Sequence, residues 1–136
     1  MKKIAQVTYQ RNLRTAAVHL ASNNEIITDA PTDNNGKGEA FSPTDLVATA
    51  LASCMITILG IRADKLEVDI TGTTASITKI MASDPRRIAE VQVTITMPDQ
   101  AYDTKSKKVL EAAARTCPVA LSLNAELIQT VNFIWN

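Results

Sequence analysis

Residues 4 to 9 (IAQVTY) and 15 to 21 (TAAVHLA) alternate apolar and polar side chains, with the polar stretch QRNLR between them. A period of two puts successive side chains on opposite faces of a strand, so the pair predicts an antiparallel hairpin. A third short strand, EIITDA at 25 to 30, follows the SNN turn. Then the pattern stops. PTDNNGKGEAFSP is rich in Asn, Gly and Pro and reads as a loop, the longest irregular stretch of the chain and therefore a candidate site wall.

The loop ends on Ser42-Pro43-Thr44-Asp45. Serine as N-cap, proline at the first helical position and an acid at the third predict a helix start, with Asp45 as the capping-box acid. From Leu46 to Ile61 the side chains are apolar or small on nearly every face, which marks a helix surrounded by protein. At that length, and with Thr, Ser and Gly along it, the segment is too short for a bilayer, which takes about 20 apolar residues. Beyond ADKLEVD the alternation returns, predicting two long strands near 66 to 82 and 88 to 97 around the turn SDPRR. A helix with a lysine-rich outer face is expected near 104 to 115. Thr116-Cys117-Pro118 breaks it and starts a short helix, PVALSLNAE, and the strand LIQTVNFIW follows. Neither an internal repeat nor a low-complexity segment is present.

One sheet of about six strands could cover only one side of the Leu46 to Ile61 helix. A dimer, in which two such helices pack together through Ala48, Ala50, Ala52 and Ser53, is the favoured cover; the second helix of the same chain is the alternative. Asp45 and Cys54 are nine residues apart on this helix, hence about 13 Å along its axis and on opposite faces.

Composition narrows the chemistry. With 136 residues, a single domain over 1–136 is expected. Lys plus Arg equals Asp plus Glu at 14 each, so no positive field recruits nucleic acid or an anionic membrane, and neither is expected as a partner. The N-terminal MKKIAQVTYQ alternates where a signal peptide would be continuously apolar, so a cytoplasmic location is expected. Two distant cysteines, one histidine (His19) and no C-x-x-C argue against a structural disulfide, a zinc site or any resident cofactor. Cysteine in an apolar helix is ordinarily a small buried hydrophobe, and burial raises a thiol's pKa, so Cys54 alone proves nothing. Cys117, at the mouth of a short helix, could instead have its thiolate stabilised by free N–H groups. No phosphate-binding loop, dinucleotide fingerprint or nucleophile elbow is present. If the chain is an enzyme, thiol redox chemistry is what remains.

The combination SPTDLVATALASCMITILGI and, much later, ARTCPVALSL resembles the OsmC/Ohr family of thiol-dependent peroxidases, in its OsmC-like branch; GEAFSPTDL and ITDAP add to the likeness. The resemblance spans essentially the whole chain. It implies an α+β fold with antiparallel sheets wrapped around central helices in an intertwined homodimer. It also implies a cycle in which Cys54 attacks the O–O bond of an organic hydroperoxide and Cys117 resolves the resulting sulfenic acid as a disulfide, which an external dithiol reduces. A cation must then hold Cys54 as a thiolate, with Arg11, Arg14 and Lys37 as candidates. The hydroperoxide branch carries a glutamate after the helix-start proline, where this chain has Thr44; Glu39 and Asp45 are the acids that could orient the arginine instead. The competing expectation is a non-enzymatic dimer that binds a small hydrophobic molecule at its interface, with both cysteines structural.

Overall fold

The computed structural model describes residues 1–136, which form two compact units, Met1–Val47 and Ala48–Asn136.

The first unit is a three-stranded antiparallel sheet in the order β1 (Ala5–Tyr9), β2 (Arg14–His19), β3 (Glu25–Asp29), followed by the loop to the first helix. The expected hairpin is present, with its register running from Ala5 opposite His19 to Tyr9 opposite Thr15. Its turn is unusual. Arg11, Asn12 and Leu13 all take positive φ (78°, 55° and 63°), a sterically costly run for side chains other than glycine. Little of this unit is buried by its own chain: every residue of β1 is exposed, and Ile4, Val7, Tyr9, Ile26 and Phe41 present apolar surface.

Helix α1 (Pro43–Leu66) begins as the sequence predicts. The Ser42 hydroxyl accepts the Asp45 N–H at 3.0 Å and the Asp45 carboxylate accepts the Ser42 N–H at 3.0 Å, a reciprocal capping box. The helix ends later than its apolar run suggests. Glu67 enters the left-handed region (φ 57°), and the Val68 N–H reaches the Ala63 carbonyl (3.0 Å) while the Glu67 N–H reaches that of Asp64 (3.2 Å). This is a Schellman stop built on Glu where glycine is usual, which is why it is not visible in the residue types. At 24 residues α1 outruns the apolar stretch from Leu46 to Ile61 and is, by length and composition, long and apolar enough to cross a membrane, contrary to the expectation that it is too short. Its Ala48, Leu51, Ala52, Met55, Leu59 and Ala63 are buried along one face.

Around that face the second unit builds its core. Strands β4 (Thr74–Ala82) and β5 (Arg87–Thr96) pair antiparallel; β4 starts well after residue 66, because the helix and its stop occupy the intervening chain. After α2 (Thr104–Ala114) and the single-turn α3 (Pro118–Ser122), β6 (Ile128–Ile134) returns parallel to β5. The six strands therefore form two sheets of three, not one sheet, and one pairing is parallel. Val91, Val93 and Ile95 of β5 are fully buried with Leu51, Met55 and Leu59 of α1 and Leu110 of α2 in one cluster. At the chain end Trp135 stacks on Phe133, meets Tyr102 edge-on and donates to Glu111 (2.8 Å).

Candidate functional site: a thiol pair and a clamped arginine

Cys54 sits on α1 between the buried face and the open one. At about 100° per residue it falls between Leu51, which is buried, and Thr57 and Ile61, which are exposed. Its side chain is accordingly half-buried and packs on the core cluster of the second unit. Cys117 is fully buried at the start of α3, where Pro118 supplies the first helical position and the Ala120 N–H donates to the sulfur at 3.4 Å. Both thiols are free.

The two sulfurs are near neighbours within one chain: Cys54 perturbs the titration of Cys117 by hydrogen bonding and by charge. Burial is the largest influence on Cys117 and pushes its pKa up; the Ala120 N–H opposes this, and the neighbouring Cys54 adds to the rise. The expected stabilisation of a Cys117 thiolate by the start of α3 is present but outweighed, because the Ala120 and Val119 N–H groups do not offset removal from water. The approach of Cys117 to Cys54 also needs no second subunit. A neutral, buried second thiol beside a half-buried first one suits a resolving cysteine better than an attacking one.

The first unit carries the charged machinery. Arg14, at the start of β2, lies directly opposite Asp29 at the end of β3, so the register alone brings them together. The guanidinium donates to both carboxylate oxygens of Asp29, from Nε at 2.7 Å and a terminal nitrogen at 2.8 Å. The same nitrogen reaches Glu39 at a longer 3.5 Å. Asp29 is 1 % exposed, against 64 % for Glu39, and it also accepts the Glu39 N–H at 3.0 Å. The Arg14 hydrogen bonds hold the Asp29 carboxyl below the usual carboxylate range, outweighing burial, with the Glu39 N–H and the charges of Arg14 and Lys37 adding to the effect. The same partner raises the Arg14 pKa. Gly36 and Gly38 let the loop fold tightly enough for this: a Cβ on Gly36 would lie 1.7 Å from the Ala30 carbonyl oxygen, and Gly38 has φ 63°.

The acid that holds the arginine is thus Asp29, which the sequence reading did not single out; Glu39 is a secondary partner. The available signal was an acid at the last position of β3 facing an arginine at the first position of β2, visible only once the register is known. Arg11 is not brought into this cluster. It sits in the left-handed turn, where its carbonyl accepts the Arg14 N–H at 3.1 Å. Asp45 is engaged in the helix cap, and Thr44, where the hydroperoxide branch carries a glutamate, shares a hydrogen bond with Ser42 at 3.2 Å. His19 is exposed and bonded to the Ser22 hydroxyl (2.6 Å). No three His, Cys, Asp or Glu side chains cluster so as to hold a metal ion.

Along α1 a groove of about 340 Å³ is walled by Ala52, Ile56, Ala75 and Ile77, with Thr49, Ser53 and Thr57 at its polar edge. Ile56 is about 160° around the helix from Cys54, so the groove lies on the flank away from the thiol.

An α+β fold with one thiol midway along its central helix and a second, buried thiol at a Cys-Pro helix start defines a two-cysteine thiol protein. The chain belongs to the OsmC family, whose profile, described as OsmC-like protein, matches residues 36–131. Among solved structures it is similar to a Psychrobacter arcticus 273-4 protein named for an osmotic stress induced and detoxification response. That likeness has 58 % identity over 98 % of this chain and 96 % of the other, with a TM-score of 0.94. The fold is shared with an organic hydroperoxide resistance protein OsmC of Legionella pneumophila, at 15 % identity over 98 % of this chain and 97 % of that one, TM-score 0.77. It is shared too with the organic hydroperoxide resistance protein OhrB of Bacillus subtilis, at 16 % identity over 95 % and 96 %, TM-score 0.67. No curated protein sequence matches.

Proposed function

We propose that this protein is a thiol-dependent peroxidase that reduces organic hydroperoxides with a two-cysteine cycle, as a homodimer, in defence against peroxide stress. The observation that carries the reading is the juxtaposition of Cys54 with Cys117 inside one chain. Membership of the OsmC family and the hydroperoxide-resistance names of proteins sharing the fold support it.

In the proposed cycle the Cys54 thiolate attacks one oxygen of the O–O bond. The leaving alkoxide takes a proton and departs as the alcohol, and the sulfur is left two electrons poorer as a sulfenic acid. Cys117, as thiolate, attacks that sulfur; hydroxide leaves with a proton as water and a disulfide remains. An external dithiol then exchanges with the disulfide, supplying two electrons and two protons that restore both thiols and leaving as its own disulfide. The first step needs a thiolate at neutral pH, and the proposed cation is Arg14, held rigid by the two-point grip of Asp29. A reducing cytoplasm would supply the dithiol.

The test is oxidation of the reduced protein by cumene hydroperoxide, followed by intact mass. Formation of the disulfide removes about 2 Da per chain, and Cys54→Ser abolishes the change. Protein that keeps its mass in excess peroxide would sink the reading. The groove beside β4 favours a second one, a non-enzymatic binder of a small apolar molecule. Its mark would be saturable binding of a hydrophobic fluorophore that Ile56→Trp blocks, without any thiol oxidation.

A further inference from the structure

Strand β6 breaks its own pattern at one place. Gln129, Val131 and Phe133 share the side of β6 that packs inward, opposite Val91, Val93 and Ile95 of β5, all three fully buried. Alternation predicts an apolar residue at 129, yet a half-buried amide stands there. A local rule broken without a packing gain points to a function.

The amide has a specific partner. Gln129 Nε2 donates to the carbonyl of Ala120 at 3.0 Å, tying α3 to β6. Ala120 is the residue whose own N–H donates to the Cys117 sulfur at 3.4 Å. One residue of a five-residue helix is thus gripped on its carbonyl side by Gln129 and meets the thiol with its N–H. A single helical turn has almost no stability of its own, because nucleation costs more than one hydrogen bond returns. Its geometry is set from outside.

We propose that Gln129 is a positioning residue for disulfide formation: by fixing Ala120 it keeps that N–H on the Cys117 sulfur, where it stabilises the thiolate that attacks the Cys54 sulfenic acid. The inference rests on the two-cysteine peroxidase reading for its place in the cycle, in which Cys117 loses its proton, its sulfur bonds to that of Cys54, and water leaves. The N–H is the main favourable influence on an otherwise disfavoured charge, so its loss is felt directly in how readily Cys117 ionises.

Two measurements separate this from the peroxidase reading. In a Cys54→Ser background, the rate of Cys117 alkylation by iodoacetamide is followed against pH. Gln129→Met, which keeps the length but not the donor, is expected to move the midpoint to higher pH and slow alkylation at pH 8 several-fold. Gln129→Asn, which keeps an amide one methylene short, is expected to fall between the two. If Gln129→Met does not fold, judged by circular dichroism, Gln129→Asn against the parent carries the comparison. An unchanged alkylation profile in the folded variants overturns the proposal whatever the peroxide assay shows. With both cysteines present and cumene hydroperoxide as oxidant, Gln129→Met should leave sulfenic acid formation at Cys54 unchanged and slow the loss of about 2 Da several-fold. Equal slowing of both phases would show a merely structural role.

Discussion

At the scale of single residues the central finding is an exchange of partners. Arg14, the proposed cation, is held by Asp29, a fully buried acid paired across the sheet, while the acids nearer the helix start do other work: Asp45 caps and Glu39 lends a longer contact. Because folding holds the Asp29 carboxyl below its unfolded value, its contribution to stability is present above about pH 4 and is lost as pH falls through the lower folded value. Asp29→Asn is therefore expected to lower stability at neutral pH and to remove about one proton from the uptake on unfolding in acid. Urea titrations at a series of pH values measure this; parallel acid limbs for parent and variant would contradict it. Both cysteines, Arg14 and Glu39 could be named from the sequence. Asp29 could not be ranked above other acids, because its importance comes from lying opposite Arg14, a property of the register and not of the residue.

At the scale of elements, helix α1 was legible at one end and illegible at the other. Its start is encoded by residue type, since Ser, Pro and Asp at fixed offsets satisfy the free N–H groups. Ser42→Ala and Asp45→Ala each remove half of the capping box, and each is expected to cost about 1 kcal/mol in a thermal or urea melt. A neutral outcome for both would mean that the cap is redundant. Its end is encoded only by conformation. Glu67 adopts a left-handed geometry that nothing in its side chain announces, so the predicted strand began several residues too early. The last strand shows the same split: the alternation of β6 is plain, but its parallel pairing with β5 is set by the α2–α3 crossover.

At the scale of the whole molecule, what stands out is apolar surface that the chain does not cover. Ala50, Ser53, Thr57 and Ile61 form an exposed stripe on α1 opposite its buried face, and the β1 strand is exposed along its length. Exposed contiguous apolar patches mark association surfaces. The proposed homodimer gives a direct expectation: Ala50→Arg, which puts a charge in the middle of the stripe, halves the mass seen in sedimentation while leaving the far-UV spectrum of the chain intact. Unaltered mass in that variant would place the subunit contact elsewhere. The grouping of six strands into two sheets of three is likewise a whole-chain property, because strand periodicity says which segments are strands and is silent on which of them pair.

By itself the amino-acid sequence determined the type and order of the main strands and helices, the capped start of the central helix, the two thiols and the shortage of chain to cover α1, because these depend on periodicity and on side-chain chemistry at short separations. The tertiary structure alone decided which charges meet, that Cys117 is buried beside Cys54, and that Gln129 reaches Ala120. Those facts depend on strand register and on packing between residues far apart in the chain, where hydrogen-bond geometry and loss of water, and not residue type, set the chemistry.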